Sequence, residues 1–439
     1  MLGRRPKLLF LTRPFPPCPT IGGIRTWNIA RYLVQSDWDV TVVTPHPSVW
    51  RHAENVEETN ARVMLNGIRR VLTDHPWRCL APDILTCRNS GLSWAVGGVC
   101  RRVARRLGID DGVGWAKAAE RACSRLTSND VDVILASGAP FASFSLAKRL
   151  SDRIGRPYVL DYRDPWTNNM HGGFRVSQRI VRQENYLLAH CAAATVVSIS
   201  WAKALHESSG VGSKLHVIPN GYDPHELNTV QPFTFPHFAI VYTGNFYPPK
   251  RVISPVMSAL RELQVTLGDR CRPWYFHYYG REEAHVREEA LRFGVMERVV
   301  LHGRVSRHEA LSAIRGANLA VVITCVSNEA SFAEQGMIPA KIFEALGLET
   351  PVLLICPPGA DAAEIIAKTK AGAVFSGSEP KMIANFLSRM ICSPAQINGS
   401  SAVQEWAWPR LIGRLDGVLR VALDPATTPS NSDVEKCST

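Results

Sequence analysis

Phe238-Ala-Ile-Val-Tyr-Thr-Gly-Asn-Phe-Tyr-Pro-Pro-Lys-Arg251 is where this 439-residue chain begins its pattern a second time. An apolar run leads into a glycine-led loop that ends in a basic pair at the start of a helix. Downstream, Trp274–Tyr279, Val299–His302, Leu319–Ile323, Val352–Ile355 and Ala373–Phe375 read as further strands. Upstream, Lys7–Thr12, Val40–Thr44, Val131–Ala136, Tyr158–Leu160, Ala194–Ser198 and Leu215–Ile218 form an earlier series. Stretches between them carry apolar i, i+3, i+4 spacing, as at Trp27, Ala30, Leu33 and Val34. Near-continuous apolar strands alternating with helices call for parallel sheets covered on both faces. Two such series predict an α/β chain of two doubly wound, Rossmann-like domains, each with a ligand crevice at the carboxyl ends of its strands.

Three prolines and polar residues interrupt the pattern over Asp223–His237. The expected division is an N-terminal domain over 1–225 and a C-terminal domain over 236–398. A loop, Ser393–Ser401, then precedes a helix over 402–423 that packs elsewhere than on the next strand. The Pro-, Thr- and Ser-rich tail 424–439 is expected to be disordered. Residues 45–125 are the least regular part, and no solenoid-like repeat is visible. Within them Leu92–Leu107 reads as a basic amphipathic helix, with Trp94, Val96, Val99 and Val103 beside Arg101, Arg102, Arg105 and Arg106.

An apolar fraction of 46% and a charged fraction of 20% exclude a disordered, collagen-like or coiled-coil chain. Eleven cysteines without a C-x-x-C pair fit reduced thiols better than a disulfide framework or a zinc site. The apolar stretch near Met1 is too short for a secretory signal, and no run is long enough to span a bilayer. A cytoplasmic chain is the expectation. The net charge is +11, and residues 1–110 hold 16 basic against 8 acidic side chains, a net +8. Such a bias suits a phosphate-bearing partner, an anionic membrane surface or nucleic acid. No aromatic stacking platform or nucleic-acid motif accompanies it.

Four stretches could carry chemistry. Gly22-Gly23 follow the first strand at a helix start, where free N–H groups favour an anion; a tight turn is the plain alternative. Asp161-Tyr-Arg-Asp-Pro-Trp166 follows a strand, so Asp161, Arg163 and Asp164 should face the crevice or form an internal salt bridge. Gly244-Asn245 through Lys250-Arg251 could cradle a phosphate, or end in an ordinary exposed basic pair. Ile338-Pro-Ala-Lys-Ile-Phe-Glu344 sets Lys341 and Glu344 at i, i+3 on a helix, either as a mutual ion pair or with the carboxylate free for two vicinal hydroxyls. The D-x-D pairs Asp37-Trp-Asp39 and Asp130-Val-Asp132 lead into strands at the wrong end of the sheet and read as solvated turns.

Taken in order, these stretches resemble a GT-B-fold nucleotide-sugar glycosyltransferase, most similar to the retaining family 4 enzymes. Ile218-Pro-Asn-Gly-Tyr-Asp223, His302-Gly-Arg304, Pro339 through Pro351 and the Trp406 helix extend the likeness over almost the whole chain. The resemblance implies two domains facing each other across a cleft, with the last helix crossing back to the first domain. It implies that Lys250 holds the diphosphate of the donor, a UDP-sugar, and Glu344 its ribose. Gly22, Gly23, Gly244, Asn245, Arg251, Lys341 and Glu334 would complete the donor site. Asp161, Arg163 and Asp164 would line the acceptor side and, with Lys250, act in catalysis. Transfer to a saccharide or lipid-linked hydroxyl would proceed with retention and without a metal or other cofactor, in cell-surface polysaccharide or glycolipid synthesis at the cytoplasmic membrane face. Two positions depart from the family: Asn245 stands where an Arg is common, and Gly336 where a second Glu is common. Either the nearby Glu334 shifts in to contact the sugar instead, or sugar recognition differs. A sugar-nucleotide 2-epimerase and a non-catalytic sugar-nucleotide or nucleic-acid binder are the alternatives.

Overall fold

The computed structural model describes residues 4–18, 20–50, 56–80, 91–167, 176–267, 271–393 and 400–424. The expected tail over 425–439, most of the loop Ser393–Ser401, and the side chains of Trp94, Val96 and Arg105 lie outside the described residues. Two compact units are present: residues 1–218 with 411–439, and residues 219–410. The division falls at Ile218-Pro219, just ahead of the proline-interrupted stretch from which it was expected.

The first unit carries β1 (Lys7–Leu11), β2 (Asp39–Pro45), β3 (Arg69–Thr73), β4 (Val133–Gly138), β5 (Tyr158–Tyr162), β6 (Ala193–Val196) and β7 (Leu215–Val217). They form one parallel sheet in the order β3-β2-β1-β4-β5-β6-β7, with Lys7 opposite Asp39 and Leu8 opposite Val133. Its switch in strand order lies between β1 and β4, where a doubly wound sheet opens its ligand crevice. Leu9, Leu11, Ile134, Phe144, Leu160 and Trp115 are buried in the core on one face. Strand β3 was not anticipated, because Arg69 and Arg70 on a half-exposed edge strand break the apolar run that marks its neighbours. The helix Trp408–Ala422 brings Asp416 to the indole of Trp38 at 2.6 Å, Arg414 to the Val217 carbonyl at 2.5 Å and Arg420 to the Ser36 carbonyl at 2.9 Å.

The second unit carries β8 (Phe238–Thr243), β9 (Trp274–Tyr279), β10 (Val299–Leu301), β11 (Leu319–Ile323), β12 (Val352–Ile355) and β13 (Gly372–Phe375). This sheet is also parallel, in the order β10-β9-β8-β11-β12-β13, so its switch lies between β8 and β11. Ile240, Tyr242, Phe276, Val321 and Leu353 fill one core face, covered by the helices Ser254–Leu267 and Pro380–Cys392. The cysteine reading is corrected here: Cys271 and Cys392 form a disulfide. They stand 121 residues apart and meet because the helix ending at Cys392 packs beside the one preceding Cys271, which no local spacing could reveal. The cysteine pattern therefore gives no support to a reducing compartment. Among the described residues no helix is long and apolar enough to cross a membrane.

Candidate active site

In the second unit the strand ends position a cationic cluster. Strand β8 ends at Thr243, and Gly244 turns the chain with φ +106°, a conformation that favours glycine. Its N–H donates to the Tyr279 carbonyl at 2.7 Å, and its own carbonyl accepts from the Tyr278 hydroxyl at 3.1 Å. The loop then runs back over the switch point, where Lys250 accepts from the Val326 N–H at 2.8 Å through its carbonyl. Arg251 stacks on Tyr247 and reaches toward the Thr324 carbonyl at 3.4 Å. Lys250 and Arg251 are thus tied to the end of β11, where a phosphate would lie in this architecture, rather than being loose surface charges. Asn245 is exposed.

Lys341 approaches the same loop from the helix Ala340–Gly347. Its ammonium donates to the Thr243 carbonyl and sits 4.6 Å from the centre of the Tyr242 ring. A Cβ added to Gly244 would fall 2.6 Å from Lys341 Nζ, so the glycine makes room for the cation. Burial, then the charge of Arg251, pushes Lys341 down to about 7. An anion at this loop would restore its charge.

Glu344, one turn further, does not pair with Lys341. Its Oε1 accepts from Arg307 Nη1 at 2.5 Å, while the same guanidinium meets Glu226 at 2.8 and 3.2 Å. Arg307 opens the helix Arg307–Gly316, whose start is fixed by a Ser306–Glu309 capping box. Neither Arg307 nor Glu226 was singled out from the sequence, since each lies far from the motifs and looks like an ordinary helix-end charge. Glu334 is a correction. Rather than turning toward a sugar, it is buried, capping its own helix through Ser331 and pairing with Lys250. Burial would raise its carboxyl, but Lys250 and the Ser331 donors hold it below the usual range.

In the first unit Asp161 is the second correction. It belongs to β5 itself, buried, and accepts from Arg25 at 2.6 and 3.2 Å, Ser137 at 2.8 Å and Thr195 at 2.8 Å. Burial alone would raise its pKa, yet Arg25 and the two hydroxyls bring it below the ordinary value. A carboxylate with every lone pair engaged cannot line an acceptor site; it locks β4, β5, β6 and the helix Ile21–Gln35 together. Arg163 donates to the Gly138 carbonyl at 3.0 Å and to that of Ala139, and a Cβ on Gly22 would lie 1.9 Å from its Nη1. A side chain at Gly22 would displace the Arg163 guanidinium from its place. The Gly23 N–H is taken by the Thr20 side chain at 3.3 Å. Asp164 is half-buried and has no hydrogen bond or ion pair among the described residues.

Around Arg163 stand residues the sequence did not flag. Arg13, directly after β1, is buried and pairs with Asp111 at 2.8 Å. Asp110 accepts from the Gly112 and Phe141 N–H groups at 2.8 Å each; burial and the neighbouring Asp111 raise it to about 6. His75, just past β3, is buried and held neutral, pushed down to about 4 by burial and the charge of Arg13. Their only sequence signal is position just beyond a strand or before a helix. Among the described residues no group of three or more His, Cys, Asp or Glu is placed to hold a metal ion.

Two parallel doubly wound units with their polar groups at the switch points define the GT-B architecture. Residues 22–221 match the family model described as a glycosyl transferase 4-like domain. No curated protein matches the chain by sequence. Among solved structures, sucrose-phosphate synthase from Thermosynechococcus elongatus is similar at 15% identity and a TM-score of 0.65, over 95% of this chain and 98% of that one. HepE from Anabaena, in complex with UDP and glucose, is similar at 16% identity and 0.59, over 94% and 99%. The lipopolysaccharide outer core galactosyltransferase WaaB is similar at 11% identity and 0.55, over 94% and 99%. The fold is GT-B, and the match over residues 22–221 bears out the resemblance to the family 4 glycosyltransferases.

Proposed function

We propose that the protein transfers a sugar from a UDP-sugar to a hydroxyl of a saccharide or lipid-linked saccharide, with retention, in cell-surface polysaccharide or glycolipid synthesis. The observation that carries this reading is the convergence of Lys250, Arg251 and Lys341 on one glycine-led loop at the β8/β11 switch, with Glu344 one helical turn from Lys341. Arg251 and Lys341, with Lys250 sharing its charge with Glu334, suit a diphosphate, and the oxygen of Glu344 not held by Arg307 suits a ribose diol. UDP bound to the similar HepE supports the choice of nucleotide.

In this mechanism the diphosphate gains charge as the glycosidic bond breaks. Lys250 and Lys341 stabilise that charge more than they stabilise the bound donor, which is what accelerates the step. These cations do the work a metal would otherwise do, so no metal is required. The departing phosphate takes the acceptor proton on the face that the sugar's leaving group vacates. The first unit binds the acceptor, whose hydroxyl oxygen forms the new glycosidic bond as the phosphate leaves.

A membrane-surface location is part of the proposal. On the helix Gly91–Arg106, Val99 and Val103 are exposed at i, i+4, Leu107 follows at the same spacing, and Arg102 and Arg106 are exposed beside them. Such a face suits an anionic leaflet. The test of transfer is release of UDP from a panel of UDP-sugars, with and without saccharide acceptors, and the anomeric configuration of the product. UDP release that no acceptor accelerates, or an inverted product, overturns the corresponding part. Vesicles containing anionic lipid should co-sediment the protein in a salt-sensitive way; equal sedimentation with neutral vesicles removes the membrane part.

A further inference from the structure

The loops that follow β1, β3, β4 and β5 meet beside the start of the helix Val113–Ala122. A Cβ on Gly114 would lie 2.1 Å from the Pro76 carbonyl, and one on Gly112 would lie 2.5 Å from Pro140, so these segments are in close contact. The ends of the strands are stitched together: Thr44 Oγ1 donates to the Arg13 carbonyl at 3.1 Å, and Thr73 Oγ1 to the Thr44 carbonyl at 3.3 Å. Arg13 is the hub, since its charge acts on His75, Asp110, Cys18 and Arg163 alike.

Two buried side chains in this group are left with open valences. Arg13 is 7% exposed, and its Nε–H has no hydrogen-bond partner. His75 is 1% exposed; its Nδ1 lies 3.1 Å from the Pro76 carbonyl, which can only accept, so Nδ1 is assigned the proton. That leaves a lone pair on Nε2, which also has no partner. A buried donor and a buried acceptor without partners are each unfavourable, and two together at a sheet's ligand end point to something that satisfies both.

We infer that Arg13, His75 and Asp111 form the subsite that holds the hydroxyls of a neutral saccharide acceptor. This deepens the proposed transfer and rests on it. A hydroxyl donates and accepts at once, as required by an Arg N–H beside a His lone pair and a carboxylate. A fully ionised phosphate offers acceptors only: it would leave Nε2 unpaired and would face Asp110 and Asp111 beside Arg13. The two guanidinium groups, Arg13 and Arg163, are offset by the carboxylates of Asp110, Asp111 and Asp164, so the site carries no net attraction for an anion.

The test uses the full chain with saturating UDP and four probes: the methyl pyranosides of glucose, galactose, mannose and N-acetylglucosamine. Saturation-transfer NMR should show binding of at least one. His75→Phe fills the space without the lone pair and should reduce that signal about fivefold or more, as losing one good hydrogen bond does. Asp111→Asn should reduce it in the same direction, and the His75 ring nitrogens should shift when the pyranoside is added to the wild type. UDP affinity, measured by calorimetry, should stay within about twofold in both variants, because the donor residues lie in the other unit. Binding of no probe by the wild type with UDP bound, or equal binding by His75→Phe, overturns the inference while leaving the donor site intact. Failure of the wild type to bind UDP overturns the donor reading and this inference with it.

Discussion

Asp161 and Glu344 are both acidic residues at the ligand end of a parallel sheet, and they do opposite things. Asp161 lies within a strand, engaged by a guanidinium and two hydroxyls, with no oxygen left to meet a ligand. Glu344 lies on a helix, with one oxygen held by Arg307 and the other without a partner among the described residues. The first unit uses its charge to fix the geometry of three strands and a helix; the second keeps charge in reserve. A motif shows that a carboxylate is present, but only its partners show whether it is architecture or recognition.

Replacing Asp161 with Asn attacks that contrast hardest. It strands Arg25 in the core, so unfolding by denaturant should show a loss of about 3–5 kcal/mol. A variant of normal stability with impaired transfer would return Asp161 to the reacting groups. Glu344→Gln should be the mirror image. UDP binding should weaken by roughly 1.5–3 kcal/mol, from the loss of charge-assisted hydrogen bonds, with the melting temperature little changed. Lys250→Ala should lower kcat more than it weakens donor binding, read from turnover at saturating donor.

A smaller effect concerns pH. Lys341 has a folded pKa of about 7, and a diphosphate beside it favours the protonated form, so binding takes up a proton above that pH. UDP affinity should therefore fall as pH rises from 7 to 9, by roughly fivefold if binding raises the pKa by one unit. Calorimetry in two buffers of different ionisation heat would detect the proton; Lys341→Arg should abolish both signals. At the small end, exhaustive chelation should leave the initial rate unchanged. Loss restored by manganese or magnesium would mean that a metal, not these cations, carries the diphosphate charge.

The parallel sheets were legible because buried strands such as Val133–Gly138 and Leu319–Ile323 are apolar along their whole length. Strand β3 escaped because an edge strand can afford Arg69 and Arg70. Lys250, Lys341 and Glu344 were legible because a loop after a strand and a helix after a proline fix where side chains can go. Arg25, Arg307 and His75 were not, because each acts through a partner at least 37 residues away or through a backbone group no spacing announces. The exchange of roles between Asp161 and Arg13 follows from the same fact: burial and satisfaction are properties of the packed chain.

The helix Trp408–Ala422 has a consequence for the order of events at synthesis. Residues 219–410 are contiguous, so the second unit can close as soon as its own strands have left the ribosome. The first unit, made earlier, must wait. Until Asp416 and Arg420 emerge, the Trp38 indole and the Ser36 carbonyl lack the partners they have in the finished molecule. The half of the chain translated first is therefore the half completed last, and a nascent chain stopped short of residue 411 lacks Leu411, Leu415 and Leu419, which are buried in the finished first unit.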